Sequence, residues 1–261
     1  MTPSPPTGDN EKRRIQRAIS SCNCFNWLAP TFRQVHPVGA ELPQECVSLM
    51  APTFMSDQFD AMCYVPSYRA WFFRQDLRPA YEYHRRFLQH LQIRQNARRW
   101  VLKAPTHMFA LPSLLAVYPD ALFVQTHRAP LDAMASVSSL ITILRRVFSD
   151  AVDPLTVCRE AIDYWSNTLD RFLRERDRLA ERRICDVDYA EIPSRSSRGG
   201  ATNLYALRLV VVRESRATDA PGTGKPVAGT KWASSGMISH SSACKKRRAP
   251  LDSQPIAIGS V

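Results

Sequence analysis

The chain has 261 residues, 44% hydrophobic and 23% charged, the composition of a globular protein rather than of a low-complexity or fibrous one. Its formal charge of +11 points toward nucleic acid or an anionic substrate, but residues 192–261 hold eleven Lys or Arg against three Asp or Glu, so the basicity is mainly a property of the tail. No run approaches the ~18 uninterrupted apolar residues of a membrane span, and the N-terminus, MTPSPPTGDNEKRRIQR, puts proline and charge where a signal peptide needs an apolar run.

A cytoplasmic protein is therefore expected. Seven cysteines scattered from Cys22 to Cys244 read as reduced thiols. Cys22 and Cys24 have no second pair or nearby histidine at ligand spacing, so no metal site is expected.

In chain order, a Pro-rich leader precedes a short helix over Lys12 to Trp27, and residues 1–24 read as a partly disordered leader. Pro37 to Leu42 is a loop, and LPQECVSLMAPTF starts a further helix with Pro43 at its beginning. In DLRPAYEYHRRFLQHLQIRQ, the spacing of Tyr83, Phe87, Leu88 and Leu91 predicts one buried helical stripe, with His84, Arg85, Arg86 and His90 mainly on exposed faces.

The stretch WVLKAPTHMFALPSLLAVYPDALFVQTHRAPLDAMAS, from Trp100 to Ser136, reads as strand, helix, strand, helix. A strand over Arg99 to Lys103, a helix over Met108 to Tyr118 and an apolar strand over Ala121 to Thr126 predict parallel pairing through a right-handed crossover. Pro130 opens a helix running to about Phe148, with Asp132 complementing its dipole. A long helix from Pro154 to Arg182 and a strand ICDVDY complete the legible part, so 25–191 is read as one α/β domain. Beyond Ile192 the composition changes: six of the nine glycines lie between Gly199 and Gly236, and little periodicity survives. Residues 192–261 are read as a disordered basic tail.

In an open α/β sheet, ligands sit at the carboxyl ends of the strands, which is where Lys103, His107 and Arg128 fall. Arg128 offers a fork of donors matched to phosphate oxygens, and Ser136, eight residues on, adds a hydroxyl from the adjoining helix. The bland alternatives are an ion pair of Arg128 with Asp132 and a small residue at a helix contact. Lys103 can stabilise charge on a leaving oxygen, and His107, an imidazole titrating near neutrality, is a candidate base or a local helix-terminal residue. His127 is read as structural, on the opposite strand face.

These segments, VLKAPTH, then YPDALFVQTHRAP, then Ser136, resemble PAPS-dependent sulfotransferases of the bacterial type over about residues 25–191. The resemblance implies a P-loop NTPase-like α/β fold with a parallel sheet flanked by helices. It also implies sulfuryl transfer from 3′-phosphoadenosine 5′-phosphosulfate (PAPS) to a hydroxyl or amine of a small-molecule acceptor. Arg128 and Ser136 would hold the nucleotide's 3′-phosphate, Lys103 the sulfuryl end, and His107 would act as base. Glu45, in a PQEC segment that also recurs in such enzymes, is a rival base or an acceptor contact.

The family's N-terminal strand and GxPRSGTT-like loop, whose amides cradle the phosphosulfate, have no counterpart before Gly39. The chain thus reads as N-terminally truncated, and a catalytically inactive copy is a second expectation. A third is a basic interaction protein that uses the tail, with KKRR at Lys245 to Arg248, on a polyanion. PGTGKP, from Pro221 to Pro226, imitates an ATPase phosphate loop, but Pro226 stands where the magnesium-binding hydroxyl belongs.

Overall fold

The computed structural model describes residues 8–36, 38–93, 99–179, 183–189 and 208–214. Nine α-helices are found among them: α1 (Gly8–Leu28), α2 (Phe32–Val35), α3 (Cys46–Met50), α4 (Gln58–Met62), α5 (Pro66–Phe72), α6 (Arg78–Gln92), α7 (Leu111–Val117), α8 (Pro130–Arg146) and α9 (Pro154–Arg176). The strands are β1 (Arg99–Lys103), β2 (Leu122–His127), β3 (Ile184–Asp188) and β4 (Arg208–Glu214).

Local chemistry explains most of the boundaries. Pro79, Pro130 and Pro154 stand in the first turns of α6, α8 and α9, where no intrahelical N–H is lost. Asp153 caps α9, its carboxylate accepting from the amides of Leu155 at 3.2 Å and Thr156 at 3.0 Å. The fold is α/β, as expected from the sequence, with helices packed on a four-stranded sheet.

The sheet order is β1-β4-β2-β3, with β2 and β3 parallel and β4 antiparallel to both β1 and β2. β1, β2 and β3 therefore point the same way, but β1 and β2 are not neighbours as the crossover pattern predicts. Lys103 and Val124 both pair with Val210, so one strand lies between them, a separation of about 10 Å at ordinary strand spacing. The intervening strand comes from the segment read as tail. Its RLVVVRE run has the β-branched composition of a strand, a signal obscured by the glycine- and serine-rich surroundings. The remainder of the expected tail, with PGTGKP and KKRR, lies outside the described residues.

The main core gathers Phe72, Tyr81, Phe109, Tyr118, Phe123 and Phe172, all essentially inaccessible, from α5, α6, the two flanks of α7, α9 and the sheet. β2 is buried on both faces from Phe123 to Thr126, as strands covered on two sides are. On α6 the expected stripe is displaced: Ala80, Tyr81, His84, Leu88 and Gln92 are buried, while Tyr83 and Leu91 are exposed. His84 is drawn inward because its Nδ1 meets the Tyr118 hydroxyl at 2.7 Å. A separate small cluster, Ala29, Phe32 and Leu140, seats α2 on α8. Cys22, Cys24, Cys46, Cys63 and Cys158 are free thiols, as expected; Cys185 departs from that expectation and is disulfide-bonded.

Candidate active site

A turn fixes one wall of the site. Phe54 adopts the left-handed conformation at φ 61°, unusual for a non-glycine residue. The Tyr68 hydroxyl sits 2.9 Å from the Phe54 carbonyl and 2.8 Å from that of Ser56, and Phe59, Tyr68 and Trp71 surround the Phe54 ring. These contacts hold a backbone state that costs of order 1–3 kcal/mol elsewhere, and they deliver Asp57 and Asp60 to one cavity. Its volume is about 400 Å³. Phe32, Val137, Leu140 and Ile141 line an apolar side, while Glu45, Asp57, Asp60 and Glu160 bring carboxyls to the others.

Glu45 precedes α3 in extended conformation but does not cap it. Its carboxylate instead forms an ion pair with Lys103, the last residue of β1, and lies 3.5 Å from His36 Nε2. Both members of the Lys103–Glu45 pair are largely buried, which strengthens their interaction over a surface pair. Cys46, next along, is buried beside the Lys103 backbone, and burial pushes its thiol up to about 12, so it is not a nucleophile at neutral pH.

Deeper, two guanidiniums and two carboxylates neutralise one another. Arg69 Nε lies 2.9 Å from both carboxylate oxygens of Asp60, and its Nη2 reaches Glu160 at 3.3 Å. Arg145 donates to the same Glu160 oxygen at 2.8 Å and to the Asp60 backbone carbonyl at 3.2 Å. This quartet draws one member from each of α4, α5, α8 and α9.

His107 is placed differently from its expected role. It is 1% exposed, does not line the cavity, and its Nδ1 lies 2.8 Å from the Tyr81 hydroxyl. Burial first, then the charges of His84 and Lys103, push its pKa down to about 3. An imidazole so far below neutral pH is a weak proton acceptor. The His107 ring is held in the core by Tyr81 of α6 rather than by the local backbone, and of the two candidate bases only Glu45 lines the cavity.

Arg128 follows β2 at the carboxyl edge of the sheet, half-buried, its guanidinium 5.6 Å from the centroid of the Tyr189 ring beyond β3. Ser136 is buried in the second turn of α8. No side chain caps the N-terminus of α8, where Ala129 and Leu131 are exposed. His127 sits on β2 with Nε2 2.6 Å from Asp186, which Arg176 also grips, a structural role as expected. Among the described residues no cluster of three or more His, Cys, Asp or Glu side chains is arranged to hold a metal, and no helix is long and apolar enough to cross a membrane.

Residues 3–205 match the Sulfotransferase family. The chain belongs to that family. Among solved structures, it is similar to the sulfotransferase STF1 from Mycobacterium tuberculosis H37Rv, at 33% identity and a TM-score of 0.53. The similarity covers 72% of this chain and 52% of that one, so the chain spans about half the length of the solved sulfotransferase it matches. No curated protein gives a significant match.

The sequence singled out Lys103 and Glu45, which the structure brings together, but gave no sign of Asp57, Asp60, Arg69, Arg145 and Glu160. Asp57 is buried, and desolvation together with the charge of Asp60 raises its pKa to about 6. An acid whose folded pKa exceeds its unfolded value contributes stability below the unfolded pKa, near 3.8, and loses it as pH rises through about 6. Asp57→Asn should therefore stabilise the fold at pH 7.5, by on the order of 1–3 kcal/mol. Thermal melts of both proteins should differ at pH 7.5 and converge below pH 4; a variant less stable at both pH values would contradict this reading.

Proposed function

We propose that this chain transfers a sulfuryl group from PAPS to a hydroxyl or amine of a small molecule, with residues 25–191 and the β4 strand that completes their sheet as the catalytic unit. The observation that carries the reading is the largely buried Lys103–Glu45 pair at the carboxyl end of β1, of which Glu45 lines the 400 Å³ cavity while Lys103 stands behind it. PAPS, when bound, supplies an activated sulfuryl group on a phosphate oxygen. Glu45, as the carboxylate, takes the proton of the acceptor as its oxygen or nitrogen bonds to sulfur. Lys103 stabilises the charge left on the phosphate oxygen when the sulfur–oxygen bond breaks. Arg128 and Ser136 hold the 3′-phosphate, aided by the uncapped N-terminus of α8.

The donor residues fit an anion. Arg128 is half-buried at a strand end and stands two residues before a helix of 17 residues whose first-turn amides have no side-chain acceptor at the cap. The polyanion-binding alternative rests on residues 192–261, of which only 208–214 are described.

Transfer of labelled sulfuryl from PAPS to a panel of hydroxylated and amine acceptors tests the proposal. Label should appear in an acceptor with the wild-type chain and be lost in Lys103→Met. A chain that binds adenosine 3′,5′-bisphosphate yet labels no acceptor would be the catalytically inactive copy instead.

A further inference from the structure

Sulfuryl transfer accounts for Glu45 and leaves a second carboxyl of the same cavity without a task. Asp57 is 9% exposed and lines the cavity. Its hydrogen-bonding neighbours are neutral and the charge felt beside it, that of Asp60, is negative: the Tyr164 hydroxyl donates to Oδ2 across a long 3.4 Å, Thr106 stands beside the carboxyl, and Oδ1 has no well-formed donor. Among the described residues no Lys, Arg or His forms an ion pair with it. The contrast with the adjoining quartet matters. Asp60 and Glu160 share Arg69 and Arg145, so the remaining ionic charge on that wall is already balanced.

A buried carboxylate without a cation is costly to the fold, and removing its charge would relieve that cost. Such groups are retained where a ligand supplies the missing partner. The rest of the cavity says what else the ligand carries. Phe32, Val137, Leu140 and Ile141 offer an apolar bed, and 400 Å³ is within the range of small-molecule sites.

From this geometry we propose that the acceptor is a cationic amphiphile: an apolar body lies along α8, a protonated amine pairs with Asp57, and the group to be sulfated faces Glu45. The inference rests on the sulfotransferase reading for the role of Glu45, but the cation site stands on the geometry of Asp57 alone. An ammonium would donate to the Oδ1 lone pairs that no well-formed donor meets and bring the positive charge that this carboxyl lacks. A carboxylate-bearing acceptor would meet like charge there and be excluded.

The test measures binding without chemistry, so it separates this inference from the transfer reaction. With the full chain at pH 7.5, n-octylammonium should bind about tenfold more tightly than n-octanol, the return expected of one desolvated charge-assisted bond, and octanoate should not bind detectably. In Asp57→Asn, which removes a destabilising charge and should fold, the ratio of ammonium to alcohol affinity should fall toward one. In Glu45→Gln the ratio should persist. Equal binding of octylammonium and octanol to the wild-type chain would overturn the proposal, as would a preference that survives in Asp57→Asn.

Discussion

Replacing Glu45 with glutamine is expected to lower the turnover of sulfuryl transfer by roughly 10²–10⁴-fold, the usual contribution of a positioned general base. Glutamine keeps the length of the side chain and an oxygen that can accept from Lys103, so the cavity wall and the strand end should survive. What disappears is the capacity to take a proton from the acceptor. Donor binding, which we propose for Lys103, Arg128 and Ser136, should change little, and the defect should fall on kcat rather than on the affinity for the bisphosphate.

The contrast is His107. Held by Tyr81 in the core at 2.8 Å, it should behave as a packing residue. His107→Asn should lower the melting temperature, while the folded fraction keeps its turnover. Loss of turnover at full stability in His107→Asn, with activity retained in Glu45→Gln, would return the base role to the imidazole.

Glu160→Ala should produce the largest loss of stability among the cavity residues, about 3–5 kcal/mol, the cost of leaving buried cations without their carboxylate. Arg145 is 4% exposed, and its guanidinium and that of Arg69 both end on one Glu160 oxygen. Removing that oxygen strands two charges, one of which keeps Asp60 while the other keeps only a backbone carbonyl and the Tyr64 ring at 5.3 Å. For a chain of this size the melting temperature should fall by roughly 6–20 °C. A double replacement, Glu160→Ala with Arg145→Met, should recover part of the loss, because the stranded charge goes with it. Thermal melts of Glu160→Ala, Arg145→Met and the double variant measure this directly; additive losses would mean that the two side chains do not interact.

Much of the frame that carries the site was legible in the sequence. The strand ending at Lys103 and the helix opening at Pro130 have strong local causes, an apolar run and a proline in the first turn, and their observed positions agree with the reading. The sulfotransferase family likewise lay in the segment from Lys103 to Ser136. What sequence could not convey was decided at long range. His84 looks like one more charge on a solvated helix face until Tyr118, 34 residues away, meets it. The valine run of β4 looks like an interruption of a tail until β1 and β2 pair with it on both sides. Asp60, Arg69, Arg145 and Glu160 each read as ordinary surface charges because no short spacing links them. They become a partly buried quartet only when α4, α5, α8 and α9 converge, and Asp57 becomes an unbalanced acid only beside them.

If the carboxyl edge of β1 and β2 together with the start of α8 receives a sulfuryl donor, adenosine 3′,5′-bisphosphate titrated into the full chain should raise its melting temperature. Stabilisation that grows with the logarithm of ligand concentration is expected, about 2.7 kcal/mol at a hundredfold excess over Kd, abolished in Arg128→Ala and weakened in Lys103→Met. No shift at millimolar bisphosphate, or the same shift in Arg128→Ala, would contradict it.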